Sequence, residues 1–153
     1  MLEEEAHPFS LSSIMVKFYD SIEPNLEEWA LSQAVFFVAT APLSGRHVNL
    51  SPKGLPSSSF SVLNPNFCGY VDANGSGNET ISHILENGRA TVMFCSFEAA
   101  PRIMRLFCTG RVVEWNERGF DGWLRRMGDK DVPGARAVIL LHVFKVQASP
   151  FQL

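Results

Sequence analysis

Short runs of β-branched and aromatic residues, joined by connections of only a few residues, constrain the fold of this chain more than any other feature. Such residues favour strands, and the glycines, prolines and asparagines between the runs end each one. Strands that follow one another through short connections form an antiparallel barrel or sandwich, so a parallel dinucleotide-binding sheet is not expected. The pattern predicts about seven strands, at residues 35–41, 47–51, 60–63, 67–71, 90–97, 105–115 and 135–147.

Helical periodicity is limited to short stretches of the chain. Apolar residues three and four positions apart predict helices over 25–33, 78–87 and 118–127. Residues 52–59 are interpreted as a loop because they combine prolines, a glycine and a run of serines. Gly110 predicts a bend or bulge inside a long strand. The predicted fold class is mainly β (α+β), a six- to seven-stranded antiparallel barrel with two or three short peripheral helices.

The length and charge of the chain exclude several classes of function. A chain of 153 residues with 46% hydrophobic and 19% charged residues is typical of one globular domain. A net charge of -3 does not favour nucleic acid as a partner, and no apolar run approaches the ~18 residues of a membrane span. Residues 1–14 lack the features of a secretory signal and are treated as an extension. We therefore expect one domain over residues 15–153, located in the cytoplasm.

The cysteines and histidines do not form a recognisable metal or nucleophile pattern. Cys68, Cys95 and Cys108 lie in apolar, strand-like runs without a C-x-x-C pair, which predicts buried, reduced thiols. The histidines are too scattered for a metal triad, and His83 on its predicted helix is more typical of a surface position than of a ligand-facing one. The pattern G-x-S-x-G is absent. We expect no metal site, and hydrolase chemistry has no support.

The most informative segment is the turn Asp72-Ala-Asn-Gly-Ser-Gly-Asn-Glu-Thr80, between a predicted strand and a predicted helix. Ser76 and Glu79 have the spacing of a capping box, so Ser76 is the expected N-cap. Gly75 and Gly77 allow the backbone to approach a ligand closely. The unpaired N–H groups and the dipole of such a helix start attract anions. A plain capped helix is the alternative, because a carboxylate in the first turn disfavours a phosphate nearby.

Two further segments carry polar residues in patterns that suit a ligand. In a strand, His47, Asn49 and Ser51 share one face, and Lys53 adds a charge suited to a phosphate. An ordinary solvated strand face is the alternative for this segment. Arg105 opens another strand, where it is a phosphate clamp, a partner for a glutamate or a solvated strand end.

Several short motifs follow one another at compatible spacing over roughly residues 34–115, and no single one of them is specific. They are Val48-Asn-Leu-Ser-Pro-Lys-Gly54, Gly75-Ser-Gly-Asn-Glu-Thr80, Glu86-Asn-Gly-Arg89, Met93-Phe-Cys95 and Arg105-Leu-x-x-x-Gly110. Together these motifs resemble the pyridoxamine 5'-phosphate oxidase-like family of FMN-binding split-barrel proteins. The resemblance implies a six-stranded antiparallel split barrel, and a homodimer with FMN in the clefts between the subunits.

The resemblance also implies cofactor-binding positions in this chain. The second strand of the family is matched by Asn49, Ser51 and Lys53, and the end of the strand that runs along the cofactor by Val71 and Asp72. The phosphate-side loop is matched by Ser76, Gly77, Asn78, Glu79 and Thr80. The arginine-containing strand at the cofactor cleft is matched by Arg105.

Two departures from the oxidase proper shape the expected function. The loop has no basic residue, so phosphate binding would depend on backbone N–H groups, Thr80, Lys53 and Arg105. The arginine- and histidine-bearing substrate segment of the oxidase has no match, so pyridoxamine phosphate oxidation is not expected. The leading hypothesis is an FMN-dependent oxidoreductase of unknown small-molecule substrate. The alternatives are a non-catalytic module that binds FMN, deazaflavin or haem, and a structural dimer with an inactive site.

Overall fold

A curled antiparallel sheet with short helices around it makes up the fold. The computed structural model describes residues 16–75 and 77–149. In chain order the elements are β1 (Lys17–Tyr19), α1 (Pro24–Leu31), β2 (Val35–Thr40), β3 (Asn49–Gly54), α2 (Pro56–Ser59), β4 (Phe60–Asn64), β5 (Phe67–Ala73), α3 (Asn78–Asn87), β6 (Arg89–Cys95), β7 (Ile103–Glu114), α4 (Phe120–Arg126) and β8 (Ala135–Ala148).

The strands form one sheet in the order β3-β2-β6-β7-β8-β5-β4, and β1 pairs with β8. All of these pairings are antiparallel, and the sheet curls into a half-barrel, so the predicted fold class is confirmed. The described chain has eight strands and four helices, one of each more than the largest number expected. The extra strand β1 spans three residues, too few to show a sequence pattern, and the extra helix α2 is a single turn inside the segment interpreted as a loop.

The core lies on the concave face of the sheet. Phe36 and Val38 of β2 are fully buried there, and their cross-strand partners on β6, Phe94 and Val92, are also fully buried. Aromatic rings pack edge to face or stacked at centroid distances of 5.2–5.6 Å in the centre of this core, at Phe36, Phe60, Tyr70 and Phe94. Helix α4 covers a second, smaller apolar cluster on the other face of β5 and β8. Strand β8 is therefore buried on both faces over part of its length, whereas β6 is buried on one face.

The prediction of buried, reduced cysteines is confirmed for two of the three. Cys68 and Cys108 are free and buried, whereas Cys95 at the end of β6 is free and half-buried. Burial raises the pKa of the Cys108 thiol to about 12, so thiolate is scarce at this position near neutral pH. Cys95 was misplaced because it lies on the convex side of its strand, where its neighbours Met93 and Thr91 are also half-buried.

Gly110 is needed for close packing rather than for a bulge. The irregularity in the pairing of β7 with β8 lies between Phe107 and Cys108, so the predicted position of the bulge was wrong. A Cβ at Gly110 would lie 3.1 Å from Ile84 Cγ2 and 3.3 Å from Leu141 Cδ2. The absence of a side chain lets α3 lie directly against β7, where the Gly110 N–H donates to the carbonyl of Gly88 at 2.6 Å.

None of the helices in the described ranges is long and apolar enough to span a bilayer.

Gly110→Ala is expected to destabilise the fold by about 1–3 kcal/mol, because the added methyl group overpacks the contact between α3 and β8. Gly122→Ala in α4 is the matched control, since nothing lies within 4 Å of a Cβ at that position and alanine favours helix. Thermal unfolding of the two variants measures the difference. Equal melting temperatures for Gly110→Ala and the parent protein would show that α3 does not need this close approach.

Candidate functional site

A buried carboxylate, Asp72 at the end of β5, organises one end of the half-barrel. Its Oδ1 accepts a hydrogen bond from Lys53 Nζ of β3 at 2.9 Å, and its Oδ2 accepts one from Arg136 Nε of β8 at 2.7 Å. The side chains of Asp72, Lys53 and Arg136 are 4%, 13% and 14% exposed. Two cations thus converge on one buried anion, and the three groups together carry a positive excess.

The backbone of Gly77 lies directly against these two cations. A Cβ on Gly77 would lie 2.8 Å from Lys53 Nζ, 3.0 Å from Arg136 Nη2 and 3.4 Å from Asp72 Oδ1, so only a glycine fits against these groups without displacing them. Arg136 Nη1 donates to Asn78 Oδ1 at 2.8 Å, whereas Arg136 Nη2 is buried without a hydrogen-bond partner among the described residues. We call the space beside the Gly77 Cα, between Lys53 Nζ and Arg136 Nη2, the Gly77 seat. A buried, unpaired guanidinium donor is costly, which points to a ligand that accepts its hydrogen bond.

The start of helix α3 adds backbone donors to the Gly77 seat. The helix begins at Asn78 with Gly77 as its N-cap, and no described side chain caps it. The expected cap Ser76 is therefore one residue too early, and Ser76 itself lies outside the described residues. The first N–H groups of an uncapped helix are free to bind an anion, and the helix dipole favours it.

The predicted polar face of β3 lies on the concave side of the sheet, against the first turn of α3. Asn49, Ser51 and Lys53 are half-buried and alternate with exposed residues, which confirms the shared face of Asn49 and Ser51. The strand begins after His47 and runs to Gly54, so it extends into the segment that was interpreted as a loop. Asn49 Nδ2 donates to Thr80 Oγ1 at 2.9 Å, and Thr80 Oγ1 lies 3.4 Å from Ser51 Oγ. The hydrogen bonds of these side chains hold β3 against the start of α3.

The Glu79 carboxylate contacts two histidines. Its Oε1 contacts Nε2 of His47, a residue that precedes β3, and lies 3.9 Å from His83 Nε2. His83 is 8% exposed, so the expectation of a surface histidine was wrong. Its Nδ1 is hydrogen-bonded to Thr40 Oγ1 at 2.9 Å.

A cavity of about 410 Å³ opens beside the Gly77 seat. Its volume lies in the range of small-molecule and cofactor sites, which are usually apolar with a few placed polar groups. The cavity has this character: backbone and apolar side chains form most of the wall, and charge comes from Lys53, Asp72 and Asp131. The lining residues are Pro52, Lys53, Gly54, Leu55, Ser58, Ser59, Val71, Asp72, Ala73, Gly75, Gly77, Asp131, Val132 and Pro133.

These features fit a planar ring that carries a phosphate. The phosphate would be received by the unpaired Arg136 Nη2, Lys53 Nζ and the N–H groups at the start of α3, and the ring would lie in the apolar cavity. Charge-assisted hydrogen bonds of this kind are short and strong, and they need no basic residue in the loop itself.

The hydroxyl of Tyr70 borders the same cluster and stays neutral. It is buried without a hydrogen-bond partner among the described residues. Burial raises the pKa of the Tyr70 hydroxyl far above its ordinary value, and the Asp72 carboxylate raises it further, whereas Arg136 lowers it. Tyr70 therefore provides no charge and no base to the site.

Most of the predicted site residues come together, and Arg105 does not. Lys53, Val71, Asp72 and Gly77 line the cavity, and Asn49, Ser51, Asn78 and Thr80 lie beside it along β3 and the start of α3. Arg105 is paired with Met93 on β6 and with Gln147 on β8, on the convex face of the sheet, and its Nη1 donates to Gln147 Oε1 at 3.3 Å.

Arg136 was missed because it lies 64 residues after Asp72 in the chain. The available signal was a single arginine at the start of the long apolar strand β8, where a cation is buried only if it has a partner. No cluster of three or more metal-binding side chains occurs within residues 16–75 and 77–149.

Comparison with known proteins agrees with this architecture. The structure of a variant of HupZ from Group A Streptococcus has a TM-score of 0.63 at 18% identity, with 83% of this chain and 98% of that chain covered. An FMN-binding protein from Syntrophomonas wolfei has a TM-score of 0.56 at 13% identity, with 80% and 86% covered. At these identities the likeness shows the fold alone.

Sequence comparison gives the family. The pyridoxamine 5'-phosphate oxidase family protein ustO of Aspergillus flavus is 64% identical over 132 residues, which are 86% of this chain and 53% of that protein. This chain thus spans about half the length of that curated relative. A family model described as pyridoxamine 5'-phosphate oxidase matches residues 22–149. The chain therefore belongs to the pyridoxamine 5'-phosphate oxidase family.

Proposed function

We propose that this protein binds FMN, with the phosphate at the Gly77 seat and the flavin ring in the adjoining cavity. The observation that carries the proposal is the buried Arg136 Nη2, which has no partner among the described residues and lies 3.0 Å from the position of a Cβ on Gly77. The family and an FMN-binding structural neighbour support a flavin over other phosphorylated rings.

The proposed reaction class is hydride transfer through the bound flavin, which supplies redox chemistry that no side chain can supply. The chain itself would bind and orient the cofactor. Lys53 and Arg136 would hold the phosphate, and Asp72 would hold both cations in place. Val71 and the apolar wall of the cavity would exclude water from one side of the ring. The small-molecule substrate and the electron donor would approach from the open side.

A non-catalytic carrier is the second candidate from the same site. Two of the three charged side chains in the described lining, Lys53 and Asp72, are paired with each other, and the lining contains no histidine, cysteine or tyrosine that could act as an acid or base. Bound FMN that neither NADH nor NADPH reduces would favour this candidate. Haem is less favoured, because none of the lining residues is one of the usual iron ligands His, Cys, Met or Tyr.

Gly77→Ala tests the phosphate position. The added methyl group would fill the Gly77 seat between two flexible cationic side chains, so it should weaken FMN binding by about tenfold or more. Riboflavin, which lacks the phosphate, should bind the variant and the parent protein alike. Gly54→Ala is the matched control, because Gly54 lines the same cavity and nothing lies within 4 Å of a Cβ there.

Isothermal titration of FMN and riboflavin into the flavin-free protein measures both affinities. Equal binding of FMN by Gly77→Ala and by the parent protein would place the phosphate elsewhere. Flavin-free protein that binds neither compound would contradict the proposal as a whole.

The convex face of the sheet supports a homodimer as the functional form. The strand register aligns two rows of residues across β3, β2, β6 and β7, in that order. The first row is Pro52, Phe37, Met93 and Arg105, and the second is Leu50, Ala39, Thr91 and Phe107. These side chains are half-buried or exposed, and most of them are apolar. Contiguous apolar surface of this kind is typical of a protein interface.

A second copy of this chain is the occupant that also accounts for Arg105. In a two-fold symmetric interface, an axis near Phe37 and Met93 would place the partner subunit's Arg105 over Pro52, at the rim of the cavity. Arg105 would then contribute to the cofactor site of the other subunit rather than to its own. This arrangement would give a homodimer with the cofactors at the subunit interface, as the family resemblance implies.

Phe37→Glu tests the interface, because it places a charge at the centre of the proposed contact. The variant should be monomeric and should retain less FMN, whereas Phe97→Glu, on an exposed loop, should leave the dimer intact. Arg105→Gln should keep the dimer and weaken FMN binding. Size-exclusion chromatography with light scattering gives the masses, and a monomeric parent protein would contradict the interface.

A further inference from the structure

Glu79 places a negative charge next to the proposed phosphate position. It lies in the first turn of α3, two residues after Gly77. A carboxylate there stabilises the helix, but it also opposes the binding of any other anion at the same helix start. Lys53 and Arg136 are the two cations of the site, and Asp72 and Glu79 are two carboxylates, so their formal charges cancel. Glu79 therefore offsets the positive excess that Lys53, Arg136 and Asp72 carry together.

Two histidine nitrogens face the Glu79 carboxylate. His47 Nε2 contacts Glu79 Oε1, and His83 Nε2 lies 3.9 Å from the same oxygen. A nitrogen that binds the carboxylate stabilises its charge and lowers its repulsion of a second anion. The His47 side chain is 66% exposed and the Glu79 side chain 42% exposed, so solvent screens this contact in part.

His83 is held in a fixed orientation towards Glu79. Its Nδ1 is hydrogen-bonded to Thr40 Oγ1 at 2.9 Å, and the same hydroxyl oxygen lies 3.4 Å from Asn49 Nδ2. If the Thr40 hydroxyl accepts from Asn49 and donates to Nδ1, the ring proton of neutral His83 is on Nε2, facing Glu79. The polar face of β3 is thus connected through Thr40 and His83 to the carboxylate in the helix.

We propose that Glu79 limits the affinity of the site for the phosphate of the cofactor, and that His47 offsets this limit by binding the carboxylate through Nε2. The inference rests on the proposed function, because it assumes that a phosphate binds at the start of α3. Glu79 and His47 are positioning residues rather than catalytic ones. The preference for a phosphorylated over an unphosphorylated flavin would then depend on one exposed contact, between Glu79 and His47. Without the carboxylate, the same site would retain FMN more tightly.

The test compares Glu79→Gln, His47→Ala and the double variant, with FMN and riboflavin as probes for flavin-free protein. Glu79→Gln keeps the size of the side chain and removes its charge, so FMN should bind at least about threefold more tightly. His47→Ala exposes the carboxylate charge, so FMN should bind at least about threefold more weakly. The double variant should match Glu79→Gln, because His47 has no carboxylate to bind there. Riboflavin affinity should stay unchanged in all three.

The outcomes separate this inference from the proposed function. FMN binding that is sensitive to Gly77→Ala but unchanged in Glu79→Gln would overturn the role of Glu79 and leave the phosphate position intact. Equal changes for FMN and riboflavin would also overturn it, because a merely structural role of the pair would affect both ligands. Melting temperatures of the flavin-free variants show whether each one folds. If Glu79→Gln unfolds, Glu79→Ser in its place must give the same gain for FMN alone.

Discussion

The Asp72 carboxylate, bound by one cation on each side, holds together the part of the molecule on which the function depends. In the strand order of the sheet, β3 is at one end and β5 is next to the other, so no ladder of backbone hydrogen bonds joins them. The ion pair from Lys53 to Asp72 crosses that opening, and Arg136 fixes the same carboxylate from β8. A buried carboxylate is unfavourable unless it is paired and hydrogen-bonded, so loss of either cation would destabilise the curled form of the sheet.

The same arrangement leaves one hydrogen-bond donor of Arg136 without a partner among the described residues. Asp72 satisfies one nitrogen of Arg136 and Asn78 another, and Nη2 is left facing the Gly77 backbone. A glycine at this position lets the backbone lie against both cations, and the helix begins directly after it. In the proposed complex, Lys53 of β3 and Arg136 of β8 would supply the positive charge that the loop lacks.

Much of the fold could be predicted from the sequence, because strand patterns depend on residues that are close together in the chain. The helix from Asn78 to Asn87 is a local pattern and was predicted correctly, and the shared face of Asn49 and Ser51 was predicted within a strand whose bounds lay too early in the chain. The pairing of Arg136 with Asp72 is set by the register of β5 with β8, which no local pattern encodes. The neighbours of Arg105 are set in the same way by the pairing of β7 with β6 and β8. Glu79 was expected to oppose a phosphate, but its pairing with His47 could not be foreseen.

A crystal structure of the protein with FMN tests the central claim most directly. The account predicts that phosphate oxygens lie about 3 Å from Arg136 Nη2 and from the backbone N–H groups at the start of α3. It also predicts that Lys53 and Arg136 keep their bonds to Asp72 in the complex. A phosphate bound away from Gly77, with Arg136 Nη2 still facing only protein atoms, would contradict the account.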